Sequence, residues 1–96
     1  MVRYGFILRD DGFTSPKSTT LECPGLLMEI TGVLDFETAC AKAKKMADVG
    51  VDFIELCGDF GEEHSQEIIA AVEGRIPVGY VTYSPEEADK LAKLFG

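Results

Sequence analysis

Two segments, Tyr4–Arg9 and Leu26–Val33, carry the apolar, period-two pattern of strands. Between them, Asp10–Gly25 is mostly polar, with turn signals at Asp11-Gly12, Ser15-Pro16 and Pro24-Gly25. A connection of that length is often functional or holds structure of its own, and Thr19–Cys23 can supply a short edge strand. From Asp35 the period changes to about 3.6. Phe36, Ala39, Cys40, Ala43, Met46 and Ala47 then fall on one helical stripe, opened by Asp35 as N-cap and stopped by Gly50. Val51–Cys57 is the third strand, and Gly58–Gly61 turns into a second helix with Ile68, Ile69 and Val72 inside and Gly74 as its break. Ile76–Tyr83 is the last strand. Ser84-Pro85-Glu86-Glu87 starts a third helix: serine as cap, proline at the first position, glutamate closing a capping box. Its apolar face is Ala88, Leu91, Ala92 and Phe95.

The order β-β-α-β-α-β-α predicts an α/β domain built on a mostly parallel four-stranded sheet, with helices mainly on one face, half-barrel or flavodoxin-like. An internal repeat supports it: Met28-Glu29-Ile30-Thr31-Gly32 recurs 26 residues later as Ile54-Glu55-Leu56-Cys57-Gly58. Each copy leads through an Asp-Phe pair into a helix. Aligning the copies puts Met28, Ile30, Ile54 and Leu56 beneath the helices. Glu29, Thr31, Phe53, Glu55 and Cys57 then share the other face, too polar for a second helical layer. If all three helices cover one side, the other is a wet groove, a half-barrel lumen or a self-association surface.

Length adds one constraint: residues 1–96 make a single domain. Such a chain buries only about two thirds of its unfolded surface, which leaves association with a partner open. Seventeen acids against 9 bases give a net charge of −8, which repels phosphate backbones and anionic membranes. Lys42, Lys44 and Lys45 look like the solvated face of a helix. No apolar run approaches the ~20 residues of a membrane span, and no export signal is evident, so a cytoplasmic location is expected. Cys23, Cys40 and Cys57 are odd in number and lack a Cys-x-x-Cys pair, which suits a reducing compartment without disulfides or structural zinc.

In parallel α/β sheets ligands gather beyond the carboxyl ends of the strands. The loops there are Gly32–Asp35, Cys57–Glu62 and Tyr83–Glu86, joined by Arg9 and Asp10 if the first strand runs parallel. Cys57 ends a strand near a helix start, where a dipole favours thiolate, although Asp59, Glu62 and Glu63 oppose that. A small, half-buried strand-end residue is its plainer role. Glu29 and Glu55 sit mid-strand among apolar neighbours, where a carboxylate must be paired or hydrated. Such a group can act as a general base or hold a ligand; an ion pair with Arg3 or Arg9 is the structural alternative. His64, the sole histidine, falls towards the packed side of its helix. No metal site is indicated: no second His or Cys has ligand spacing, and Asp35, Glu55, Asp59 and Glu62 are more simply an acidic edge. Glu62-Glu63 and Glu86-Glu87 already occupy helix N-termini, which disfavours phosphorylated ligands, and no nucleotide-binding glycine pattern occurs. Asp59-Phe60-Gly61 spells a protein-kinase triplet without any of its companions.

Three strings, Tyr4–Asp10, Ile54–Gly61 and Pro77–Tyr83, resemble a family of short uncharacterised prokaryotic α/β proteins known as a domain of unknown function. The resemblance spans nearly the whole chain. It implies a stand-alone cytosolic protein with no established activity and no catalytic residues to carry over. The leading expectation is a small-molecule-binding homo-oligomer without cofactor, its ligand meeting Arg9, Glu29, Glu55, Cys57, Thr82 and Tyr83. The alternative is a small isomerase or lyase using Glu55 as base with Cys57 or His64 assisting. A third is a structural or regulatory partner of a larger complex, which needs an apolar sheet face.

Overall fold

Strand β1 (Val2–Arg9) lies at the centre of the sheet and pairs in parallel with β3 (Leu26–Val33) on one side and β4 (Phe53–Leu56) on the other. The computed structural model describes residues 1–96. Beyond β3 runs β2 (Lys17–Cys23), antiparallel to it, and beyond β4 runs the short parallel β5 (Val78–Tyr80), giving the order β2-β3-β1-β4-β5. The sheet therefore has five strands rather than four, and two are shorter than expected: of Val51–Cys57 only Phe53–Leu56 is strand, and of Ile76–Tyr83 only Val78–Tyr80, which pairs with three residues of β4. The edge strand foreseen at Thr19–Cys23 begins two residues earlier and spans the whole hairpin arm, because Pro24-Gly25 folds it back onto β3. Gly25 there takes φ +86°, a conformation that glycine reaches at little steric cost.

Helix α1 (Phe36–Asp48) starts where predicted, with the Asp35 carboxylate accepting the Thr38 N–H at 2.7 Å. It stops at Gly50, which takes φ +93°. Helix α2 (Gly61–Ala71) follows a single 3-10 turn over Gly58–Phe60, and α3 (Pro85–Phe95) ends the chain. Ser84 makes no side-chain cap bond, so the predicted capping box does not form; Ser84 contributes its carbonyl, which accepts from the Ala88 N–H at 2.8 Å. No helix is long and apolar enough to cross a membrane.

The core lies between the sheet and α1 with α2. Ile7, Val33, Ile54 and Leu56 from the strands meet Ala39, Ala43 and Met46 of α1 and Phe60, Ile68 and Val72 around α2. At Gly5 an added Cβ would stand 2.7 Å from Met46 Sδ, so glycine lets α1 sit close to the central strand. Helix α3 takes no part in this layer; none of its residues is buried, and Leu94 and Phe95 are 75% and 82% exposed. Two helices, not three, cover the sheet.

Strand register overturns the two faces drawn from the repeat. Gly5 pairs with Glu29 on one side and Ile54 on the other, so Glu29 lines up with Ile54, and Glu55 with Phe6 and Ile30. The repeat copies are thus offset by one residue, and one residue of slip sends every side chain to the opposite face. Glu29 and Thr31 lie under the helical layer, Thr31 fully buried with its hydroxyl 2.8 Å from that of Ser18. Met28 and Ile30 lie on the uncovered side.

That uncovered side is apolar. Phe53, Tyr4, Met28 and Leu21 form one cross-strand row, and Phe6, Ile30 and Thr19 continue from Glu55 in the next. The rings of Tyr4 and Phe53 stack at 4.6 Å. Phe13, from the loop after β1, lies over Gly32, where any Cβ would collide with its ring. Glu55 is the one carboxylate in these rows, and the Tyr4 hydroxyl donates to it.

Candidate functional site

Strands β1 and β4 are parallel neighbours, yet the chain leaves their carboxyl ends in opposite directions. After β1 it runs out to the β2 edge; after β4 it runs through α2 to β5. Such diverging exits open a crevice at the strand ends, the usual ligand position in open α/β sheets. A cleft of about 510 Å³ lies there. Arg9 and Asp10 form its β1 side, Gly58 and Asp59 its β4 side, and Tyr83 with Leu91 and Phe95 of α3 closes the outer wall.

Arg9 is the organising side chain. Its Nε donates to the Asp59 carboxylate, and its Nη1 donates to Asp11 at 3.0 Å and to the Leu34 carbonyl at 2.7 Å. The guanidinium also lies 5.6 Å from the centre of the Phe36 ring. The hydrogen bonds it donates to Asp59 and Asp11 raise its already high proton affinity further, so it stays a cation. Asp10 turns its carboxylate back to the Gly12 N–H at 2.8 Å, an Asx turn that shapes the loop leaving β1. With Arg9 matched by Asp59 and Asp10 added, the cleft carries net negative charge beside an apolar wall.

The structure brings Arg9 and Tyr83 to one cleft and sets Cys57 against it: the Arg9 backbone N–H donates to Cys57 Sγ at 3.4 Å. Thr82 is exposed next to Tyr83. Glu29, Glu55 and His64 go elsewhere. Glu29 lies 3.0 Å from Lys42 Nζ on the covered side of the sheet, Glu55 lies on the open side, and His64 belongs to α2. The imidazole stacks on Phe36 at 3.6 Å, with Nδ1 3.2 Å from the Glu67 carboxylate. Glu55 and His64 are therefore on opposite sides of the sheet. Cys40, half-buried on α1, has its thiol pKa raised, first by burial and then by Glu67 and Glu37. No three His, Cys, Asp or Glu side chains stand close enough together to hold a metal ion.

Sequence reading missed Asp11 as a partner of Arg9, Phe36 as the ring between Arg9 and His64, and Leu91 with Phe95 as cleft wall. Asp11 was legible only as a turn residue, and the helical stripe marks Phe36 simply as core. Nothing in a helical period says that α3 stands off the sheet and leans over the strand ends.

These features define a class: a one-sided α/β sheet domain with a polar crevice where its chain exits diverge. Within it, the chain belongs to the family of unknown function DUF6506, which matches residues 2–96. No curated protein and no solved structure matches it.

Proposed function

We propose that this protein is a small-molecule-binding domain that works as a homo-oligomer, two copies covering each other's open sheet face. The observation that carries this is the apolar character of that face, set against the surface the chain exposes. A monomer of 10.5 kDa is expected to expose about 5,400 Å², and this chain exposes 6170 Å². The excess of roughly 700 Å² is shared between the open sheet face and the outstanding helix α3. The radius of gyration, 13.7 Å, likewise exceeds the ~12.5 Å of a compact chain of this length. A second copy is the occupant this favours, because the rows Phe53-Tyr4-Met28-Leu21 and Phe6-Ile30-Thr19 are apolar and nearly neutral, and suit themselves. Glu55, hydrogen-bonded by Tyr4, can sit at the solvated margin of such a contact.

The ligand belongs in the cleft at the ends of β1 and β4. Its net negative charge and the Leu91–Phe95 wall suit a small neutral or cationic molecule with an apolar part. Light scattering at micromolar concentration tests the assembly: twice the 10.5 kDa chain mass is expected. Met28→Lys, which adds a charge to the open face without touching the core, is expected to return it to a monomer. A wild-type monomer would sink the proposal. The enzyme alternative keeps one supporting observation, the contact of Cys57 with Arg9. Rapid, stoichiometric alkylation of Cys57 at neutral pH, blocked by a metabolite, would favour it over simple binding.

A further inference from the structure

The helical layer leaves part of its own side of the sheet bare. Helix α1 lies over β1 and the near side of β3; the hairpin β2–β3 overhangs beyond it. Between overhang and helix runs a cleft of about 410 Å³. It lies on the opposite side of the sheet from the face given above to self-association, and away from the crevice at the strand ends.

In a chain of net −8, Arg3, Lys42 and Lys45 all line this one cleft, with Glu29 as the one acid in its lining; Glu22, opposite Leu27 on β2, and Asp52, beside Arg3, stand at its margins. Lys42 and Glu29 close on each other at 3.0 Å. Arg3 donates through Nη1 to the Val49 carbonyl at the end of α1, at the negative end of the helix dipole; its guanidinium forms no ion pair, while its backbone N–H donates to the Asp52 carboxylate at 2.7 Å. Lys45 has no carboxylate within ion-pairing distance. The cleft thus holds two cations without an anionic partner, Arg3 at one end of the opening and Lys45 on the helix above it. Leu27 and Met46 supply an apolar floor between them.

We propose that this cleft binds a small organic carboxylate on a short apolar chain. The head group sits between Arg3, whose planar fork matches a carboxylate, and Lys45; the chain lies on Leu27 and Met46. Glu29 at the inner end favours one negative charge over several. The reading is independent of the proposed function, since it uses another face and the opposite sign of charge.

Nuclear magnetic resonance titration of the intact protein with hexanoate, acetate and hexylamine tests it, observing the Met46 methyl and the Leu27 and Lys45 amides. Hexanoate is expected to shift these signals saturably, acetate more weakly, and hexylamine not at all. Lys45 is exposed and unpaired, so Lys45→Glu should fold normally and weaken hexanoate about tenfold or more, the loss of one charge-assisted contact. Leu27→Ala should weaken hexanoate while leaving acetate unchanged. Equal shifts with hexylamine, shifts centred on Arg9 and Phe95 instead, unaltered affinity in Lys45→Glu, or no saturable shift would each overturn the assignment. A monomer in light scattering would leave it standing.

Discussion

Tyr4 controls how the open sheet face carries its carboxylate. Its hydroxyl donates to Glu55 while its ring stacks on Phe53, so one residue both hydrogen-bonds the carboxylate and fills the apolar row. Burial, then the hydrogen bond and the charge of Glu55, push the phenol up to about 12. A folded-state pKa above the unfolded one means that this contribution is intact below the ordinary tyrosine pKa of about 10 and is lost as pH rises through the folded value. Ultraviolet titration of the folded protein should therefore show one tyrosine ionising late, and Tyr4→Phe should remove that step. A late step that survives in the variant belongs to another tyrosine. The thiols offer a second residue-scale check. Cys23 is exposed on the edge strand, whereas Cys40 is half-buried with a raised pKa. A disulfide reagent should consume Cys23 first and Cys40 slowly, so Cys23→Ser should abolish the fast phase.

At the scale of elements, the three helices hold unequal parts of the fold. Helix α2 is fixed through Ile68, fully buried between α1 and the sheet. Truncating it to alanine should cost about 2–5 kcal/mol, measurable by urea unfolding. Helix α3 buries nothing, so ending the chain at Ser84 should barely move the urea midpoint. The same truncation removes Leu91 and Phe95 from the cleft beside Arg9, and ligand binding there should disappear with stability nearly unchanged. A large loss of stability would mean that α3 packs more firmly than its exposure indicates. Helix α1 carries a pH-dependent cap. The Thr38 N–H and hydroxyl hold the Asp35 carboxyl below the ordinary range. Its contribution is present above the unfolded-state pKa and lost as pH falls through the folded one. Asp35→Asn, which keeps an N-cap acceptor, should therefore lower the melting temperature at neutral pH and converge with wild type in acid.

The whole molecule is asymmetric in two ways. One side of its sheet is covered by helices and the other by no helix, and one of its clefts is negative while another is positive. The surface excess of roughly 700 Å² over a compact monomer is a property of that whole arrangement and of no single residue. Its consequence is concentration-dependent stability: if copies cover each other's open faces, the melting temperature should rise with protein concentration. Met28→Lys should remove that dependence. A melting temperature independent of concentration over two decades, together with a monomeric mass, would count against association.

The sequence by itself determined the α/β class and the three helices in their order, with four of the five strands; the fifth, β2, was foreseen only as a short edge strand inside a loop. Period two at Tyr4–Arg9 and Leu26–Val33, period 3.6 from Phe36, Asp35 as cap and Gly50 and Gly74 as stops were all legible, because each is a local property of backbone conformation and nearest-face burial. It also placed Arg9 at the end of β1; Tyr83, expected at the end of the last strand, lies three residues beyond it and reaches the cleft from the loop before α3. The faces of the sheet were decided by tertiary structure. The repeat aligned Glu29 with Glu55, but pairing across β1 aligned Glu29 with Ile54, and a one-residue offset exchanged a polar face for an apolar one. Register is set by inter-strand hydrogen bonds and by Gly5 admitting Met46, contacts between residues far apart in the chain. The placement of α3 was decided the same way. Its apolar stripe says that it has something to cover, and only the packed structure leaves that stripe beside the strand ends instead of on the sheet.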